Sequence, residues 1–271
     1  MFSRHRQLMR QISRPDRFDI LLRLGGFVAV ALPLWLLLAN LLPGLDPVSR
    51  SVSASLVAGL TANLISARWF GTLHFSDFGL DWDTSSANQL ALGLLLGVGS
   101  MSLLVLGSIA AGLAHWEPAD AGNLAWLTGA LLAGAAGEEL LFRGYAFQYL
   151  AQSWPTRTII GSGILFGLTH VLLNQNIQLI GTLNTALWGA LLGYAYWRTK
   201  TLWLPIGIHY GWNLAQVLFG ASLSGTTIGA TGVRLVWSAG EIWSGGDYGP
   251  EGGLLTTAAG LAVLLMLRRV R

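Results

Sequence analysis

The chain has 271 residues, of which 53% are hydrophobic and 11% charged, where soluble domains carry about 25% charged residues. That balance excludes an ordinary soluble protein. The formal charge is only +3, with a single lysine (Lys200) among the 16 Lys and Arg residues. The absence of cysteine excludes disulfides, thiolate zinc sites and cysteine nucleophiles together. Twelve Trp and 35 Gly fit a membrane protein, since Trp gathers at bilayer interfaces and Gly allows close packing of membrane helices.

An apolar run needs about 20 residues to cross about 30 Å of hydrocarbon. Eight runs are predicted as spans, at residues 24–42, 51–67, 88–113, 122–143, 158–173, 177–197, 202–219 and 253–267. The second is rich in Ser and Ala, and the fifth and eighth are short. Ahead of them, residues 1–23 form a basic segment carrying Arg4, Arg6, Arg10, Arg14, Arg17 and Arg23. No small-residue cleavage site follows the first run, which is therefore expected to remain as an anchor. Residues 24–271 are expected to form a single transmembrane domain without internal repeats.

Arginine-rich flanks stay on the cytoplasmic side. Alternating from an inner start, Arg68, Arg157, Arg198 with Lys200, and Arg268, Arg269 and Arg271 all fall inside. Asp46, Glu117, Asp120, Asp247 and Glu251 fall outside, against Arg50 and Arg234. Eight spans with both termini cytoplasmic satisfy this pattern, whereas seven would put the arginine-rich tail outside. Residues 68–83 are expected at the inner interface, and residues 220–253 as a glycine-rich outer loop.

Ionisable side chains at membrane depth cost roughly 2.5–3.5 kcal/mol each, so each requires a reason. The expected spans contain five: Glu138, Glu139, Arg143, His170 and His209. Glu139 and Arg143, four apart, share a helix face and can pair. Glu138 is rotated by about 100° from Glu139 and is left to point into a cavity. Phe166 and His170 repeat the four-residue spacing on the fifth run, as do His209 and Asn213 on the seventh. With a rise of about 1.5 Å per residue, Glu138, His170 and His209 all fall in the inner half of the bilayer. The bland reading, a static polar clamp between helices, fits Glu139 and Arg143 better than it fits Glu138.

One carboxylate, two imidazoles and an amide suit hydrolysis. Glu138 and His170 could hold and deprotonate a water, and His209 and Asn213 could donate to an oxyanion. Alternatively, Glu138, His170 and His209 could ligate a divalent metal such as zinc. Spacing leaves both open. Other proteolytic signatures are missing: no His is followed by Glu, Gly-Gly-Asp at 245–247 is not GxGD, and Ser162 lies two turns from His170 on one helix.

Three motifs in order resemble the CAAX protease and bacteriocin-processing family, or type II CAAX prenyl endopeptidases. They are Glu138-Glu139-Leu-Leu-Phe-Arg143, Phe166-Gly-Leu-Thr-His170 and His209-Tyr-Gly-Trp-Asn213, and the resemblance covers residues 120–220. Gly-Pro-Glu-Gly-Gly at 249–253 also looks like loops in some members. The resemblance implies an all-α, eight-helix intramembrane endopeptidase with a polar catalytic cavity open to the cytoplasmic side. It implies Glu138 and His170 as catalytic, His209 and Asn213 as oxyanion donors, and Glu139, Arg143 and Phe166 as supporting residues. It favours a metal-independent, glutamic mechanism acting on a membrane-associated protein or peptide near its C-terminal tail. The short loops suggest a bacterial inner membrane. The alternative is a non-catalytic scaffold or bacteriocin-immunity protein that binds peptides in the same cavity. The bilayer is an expected partner and nucleic acid is not.

Overall fold

The computed structural model describes residues 16–41, 44–71, 78–174 and 177–270. Arg4, Arg6, Arg10, Arg14 and Arg271 of the expected basic ends, and residues 72–77 of the expected interfacial stretch, lie outside these. Ten helices occur among the described residues. Eight of them follow the eight expected runs: α1 (Arg17–Leu41), α2 (Pro47–Phe70), α3 (Thr84–Ala110), α4 (Leu124–Arg143), α6 (Pro155–Leu173), α7 (Leu179–Thr199), α8 (Trp203–Leu218) and α10 (Leu254–Leu267). Two short ones were not anticipated, α5 (Tyr145–Ser153) and α9 (Glu241–Ser244).

Local chemistry sets the ends. Asp46 accepts from the N–H groups of Val48 and Ser49, both at 3.0 Å, with Pro47 opening α2. Asp83 and Asn123 cap α3 and α4 in the same way, through Ser86 and Trp126. Pro155 opens α6.

Among the described residues, five helices are long and apolar enough to cross a bilayer: α1, α2, α3, α4 and α6. Of the remaining three expected spans, α8 and α10 have 16 and 14 residues, and α7 carries buried Asn184 and Thr185 that lower its hydropathy. Large apolar side chains face outward around the perimeter, among them Phe18, Leu103 and Leu172. A water-facing fold would bury such side chains. The chain is a multi-pass integral membrane protein, and helix dominates it.

One expectation is corrected. Residues 114–118 and part of the 220–253 loop form a two-stranded antiparallel ribbon, β1 (Ala114–Pro118) with β2 (Val233–Trp237), in the register Ala114↔Trp237 to Pro118↔Val233. It fastens the α3–α4 connection to the segment after α8. Helical periodicity does not reveal so short a pairing, because each strand needs a partner more than a hundred residues away.

The helices pack as close pairs, with α2 against α4, α6 against α7 and α3 against α8. Small residues permit this. A Cβ on Gly137 of α4 would stand 2.5 Å from the backbone nitrogen of Leu56 in α2, and one on Gly163 of α6 would stand 2.6 Å from the carbonyl of Ala186 in α7. Gly93 and Gly97 of α3 face Gly207 and Gly211 of α8 backbone to backbone. Each pair brings one of the three motifs to the junction between the pairs.

Candidate active site

The α4 motif splits into a sealed part and an open part. Glu139 and Arg143 are both fully buried and pair at 3.2 Å through Oε1 and Nη1. Arg143 also donates through Nη2 to the carbonyl of Gly189 in α7, at 2.6 Å, and its guanidinium lies 4.7 Å from the centre of the Phe166 ring. Glu138, on another face of α4, keeps 29% of its side chain exposed. After Arg143 the chain bends at Gly144 and continues as α5.

That bend is held by a residue the sequence reading passed over. Asn63 of α2 donates to the carbonyls of Gly59 and Leu140, at 2.7 and 2.9 Å, and accepts the N–H of Tyr145 at 2.6 Å. It therefore serves groups left open where α4 ends and α5 begins. Gly144 has no room for a side chain, because a Cβ there would run into the Asn63 amide. The one available signal was a lone Asn in a span otherwise rich in Ser and Ala.

His209 of α8 lies between the two glutamates. Its Nδ1 is 3.0 Å from Glu139 Oε1, and its Nε2 is 3.8 Å from Glu138 Oε2. A carboxylate only accepts, so Nδ1 carries a proton there and Nε2 is left beside Glu138. The sequence reading paired Glu139 with Arg143 alone; the carboxylate in fact has two partners, on two helices.

His170 of α6 donates Nδ1–H to the carbonyl of Phe166 one turn back, at 2.9 Å, which leaves Nε2 as an acceptor. The Phe166 ring touches everything around it: it is tilted against His170 at 4.5 Å, edge-on to His209 at 6.1 Å, and T-shaped to Phe142 at 5.0 Å. Phe166 is thus the common apolar neighbour of Arg143, His170 and His209. Asn213 lies one turn beyond His209, half-buried, and hydrogen-bonds to no described residue. Ser162 donates to the carbonyl of Phe142 at 3.2 Å, a tie between α4 and α6.

Glu138, His170 and His209 were the ligand set left open by the sequence, yet among the described residues no three His, Cys, Asp or Glu side chains stand close enough to hold an ion. No step below passes through a metal.

Residues 120–215 match the family model described as type II CAAX prenyl endopeptidase Rce1-like. The matched segment spans about a third of the chain and contains all three motifs, whereas Asn63 and Gly59 lie outside it. No curated protein matches the chain. The matched segment is thus similar to membrane endopeptidases of the CAAX-protease type.

Proposed function

We propose that Glu138 acts as general base and then general acid in hydrolysis of a peptide bond presented to the cavity, near the C-terminal tail of a membrane-associated protein. The observation that carries this reading is the contrast within one motif. Glu139 and Arg143 neutralise each other out of reach, while the neighbouring Glu138 keeps 29% of its side chain exposed and sets a buried Oε2, without a hydrogen bond, 3.8 Å from the His209 imidazole. A glutamate kept only for packing would be sealed like its neighbour.

In this mechanism a water held between Glu138 and His170 Nε2 attacks the scissile carbonyl carbon while its proton passes to Glu138. The carbonyl oxygen gains the negative charge and accepts from the Asn213 amide and from His209 Nε2 when that ring carries both protons. Collapse of the tetrahedral intermediate breaks the C–N bond, and Glu138 returns its proton to the leaving amine. No cofactor takes part. Arginines at the inner ends of the helices support cytoplasmic termini, and the short connections a bacterial inner membrane.

The test is co-expression of wild type or Glu138→Gln in one host, followed by mass spectrometry of membrane and released peptides. New C-terminal fragments present only with wild type are the expected result and identify the substrate. Identical peptidomes would turn the reading toward a peptide-binding scaffold.

A further inference from the structure

A second carboxylate reaches α8, and the proposed chemistry makes no use of it. Glu251 sits in the short turn Pro250–Gly252 that leads into α10. Its Oε1 accepts from the Trp212 indole N–H at 3.3 Å and from the Gln216 amide at 3.2 Å. Its Oε2 accepts from the N–H and the hydroxyl of Ser224, at 2.8 and 2.9 Å. The turn itself is moored to α7, where Asn184 donates to the carbonyls of Glu251 and Gly253, both at 2.8 Å. Gly249, with φ of 93°, makes the bend that presents it.

The two α8 donors bracket the active-site face. His209, Asn213 and Gln216 follow the i, i+4, i+7 spacing of one helix face, and Trp212 adjoins it. Gln216 is fully buried, and Trp212 lies against Trp188 of α7 with ring centres 4.1 Å apart. On its other side α8 meets α3 through glycine backbones, a smooth contact that sets separation but indexes rotation weakly. His209 has Glu139 to hold it. Asn213 has no such partner among the described residues, so its aim follows the rotation of α8 alone.

We infer that Glu251 is a positioning residue. By holding Trp212 and Gln216 against the turn moored on α7, it fixes the rotation of α8 and with it the aim of Asn213 and of His209 Nε2 into the cavity. The kinetic consequence rests on the proteolytic reading; the geometric one does not.

Because the chain has no cysteine, spin labels can be placed by single substitutions. Leu218 at the outer end of α8 and Leu172 on α6 are exposed and serve as one labelled pair; Leu103 of α3 with Leu172 is the reference. In lipid nanodiscs, Glu251→Gln is expected to broaden or shift the α8 distance distribution and leave the reference pair unchanged. With a quenched fluorescent farnesylated CAAX peptide as probe, kcat should fall by about 10²-fold with KM unchanged, the loss expected when a catalytic group is misplaced by about 1 Å. Exchanging the pair, Glu251→Gln with Gln216→Glu, restores a carboxylate–amide contact and should recover the α8 distances and most of kcat. The exchanged variant also carries the test if the single variant fails to fold. Unchanged α8 distances in Glu251→Gln, or an exchanged pair no better than the single variant, would overturn the inference. If wild type cleaves no probe, the proteolytic reading fails on that probe and the label distances alone decide the positioning.

Discussion

Glu139 and Glu251 both reach α8, one from the packed centre of the helices and the other from the loop over its outer end, and they are satisfied by different means. Glu139 is fully buried and answers to charge, with Arg143 at 3.2 Å and His209 at 3.0 Å. Glu251 is half-buried and answers only to neutral donors, Trp212, Gln216 and Ser224. A carboxylate cut off from water needs an opposite charge, whereas one at the edge of the bundle can be held by several N–H and O–H groups. The inner grip therefore carries the larger share of stability, and the outer grip carries alignment.

The sharpest way to break that contrast is at Arg143. Arg143→Ala leaves Glu139 buried without its cation and should cost about 3–5 kcal/mol, seen as a large drop in thermal stability in detergent. A melting temperature like that of wild type would mean the inner pair is not the stabilising one. Next comes the glycine seam. Gly97→Val would force a side chain into the α8 backbone, where even a lone Cβ would stand 2.6 Å from the Trp212 nitrogen, and should cost about 1–3 kcal/mol. Retained stability with lost activity would instead show that separation from α3 matters mainly for the site.

At the outer grip, Gln216→Leu keeps volume but removes one donor to Glu251, with an expected cost of about 1 kcal/mol in the same melt. A loss as large as that of Arg143→Ala would erase the distinction between the two carboxylates. The smallest effect belongs to the ribbon. There Arg234 hydrogen-bonds to Glu117 at 2.5 Å and holds its carboxyl below the usual range. A depressed folded-state pKa contributes above the unfolded value and is lost as pH falls through the folded one. The pair is exposed, so Glu117→Gln should change the melt at neutral pH by no more than its scatter, and the two proteins should converge on acidification.

How much of this was legible in the sequence follows the same division. Glu139 and Arg143 announce themselves because four residues along one helix place them together wherever that helix goes. Glu138 follows by rotation, and the eight long helices follow from apolar runs. His209 was visible as a buried histidine, but its place between two glutamates on α4 depends on how α8 docks, which spacing within α8 does not encode. Glu251 appeared as an acidic residue in a glycine-rich loop, its 249–253 segment resembling loops of the family, but its contacts with α8 did not, since its partners lie more than 25 residues away on another helix and in a turn. Asn63 and the ribbon were hidden for the same reason. Contacts within one helix can be read from periodicity; contacts between elements require the packing that glycines at 97, 137 and 163 permit.

The most direct test of the account is the rate at which purified wild type and Glu138→Gln, in proteoliposomes, cleave the peptide identified by the peptidome comparison, each with and without a chelator. A general base is worth about 10²–10⁴-fold. The account predicts a loss of that size in Glu138→Gln, with the variant as stable as wild type and wild type indifferent to the chelator. A variant that cleaves within about threefold of wild type, well short of the loss expected for a general base, would contradict it.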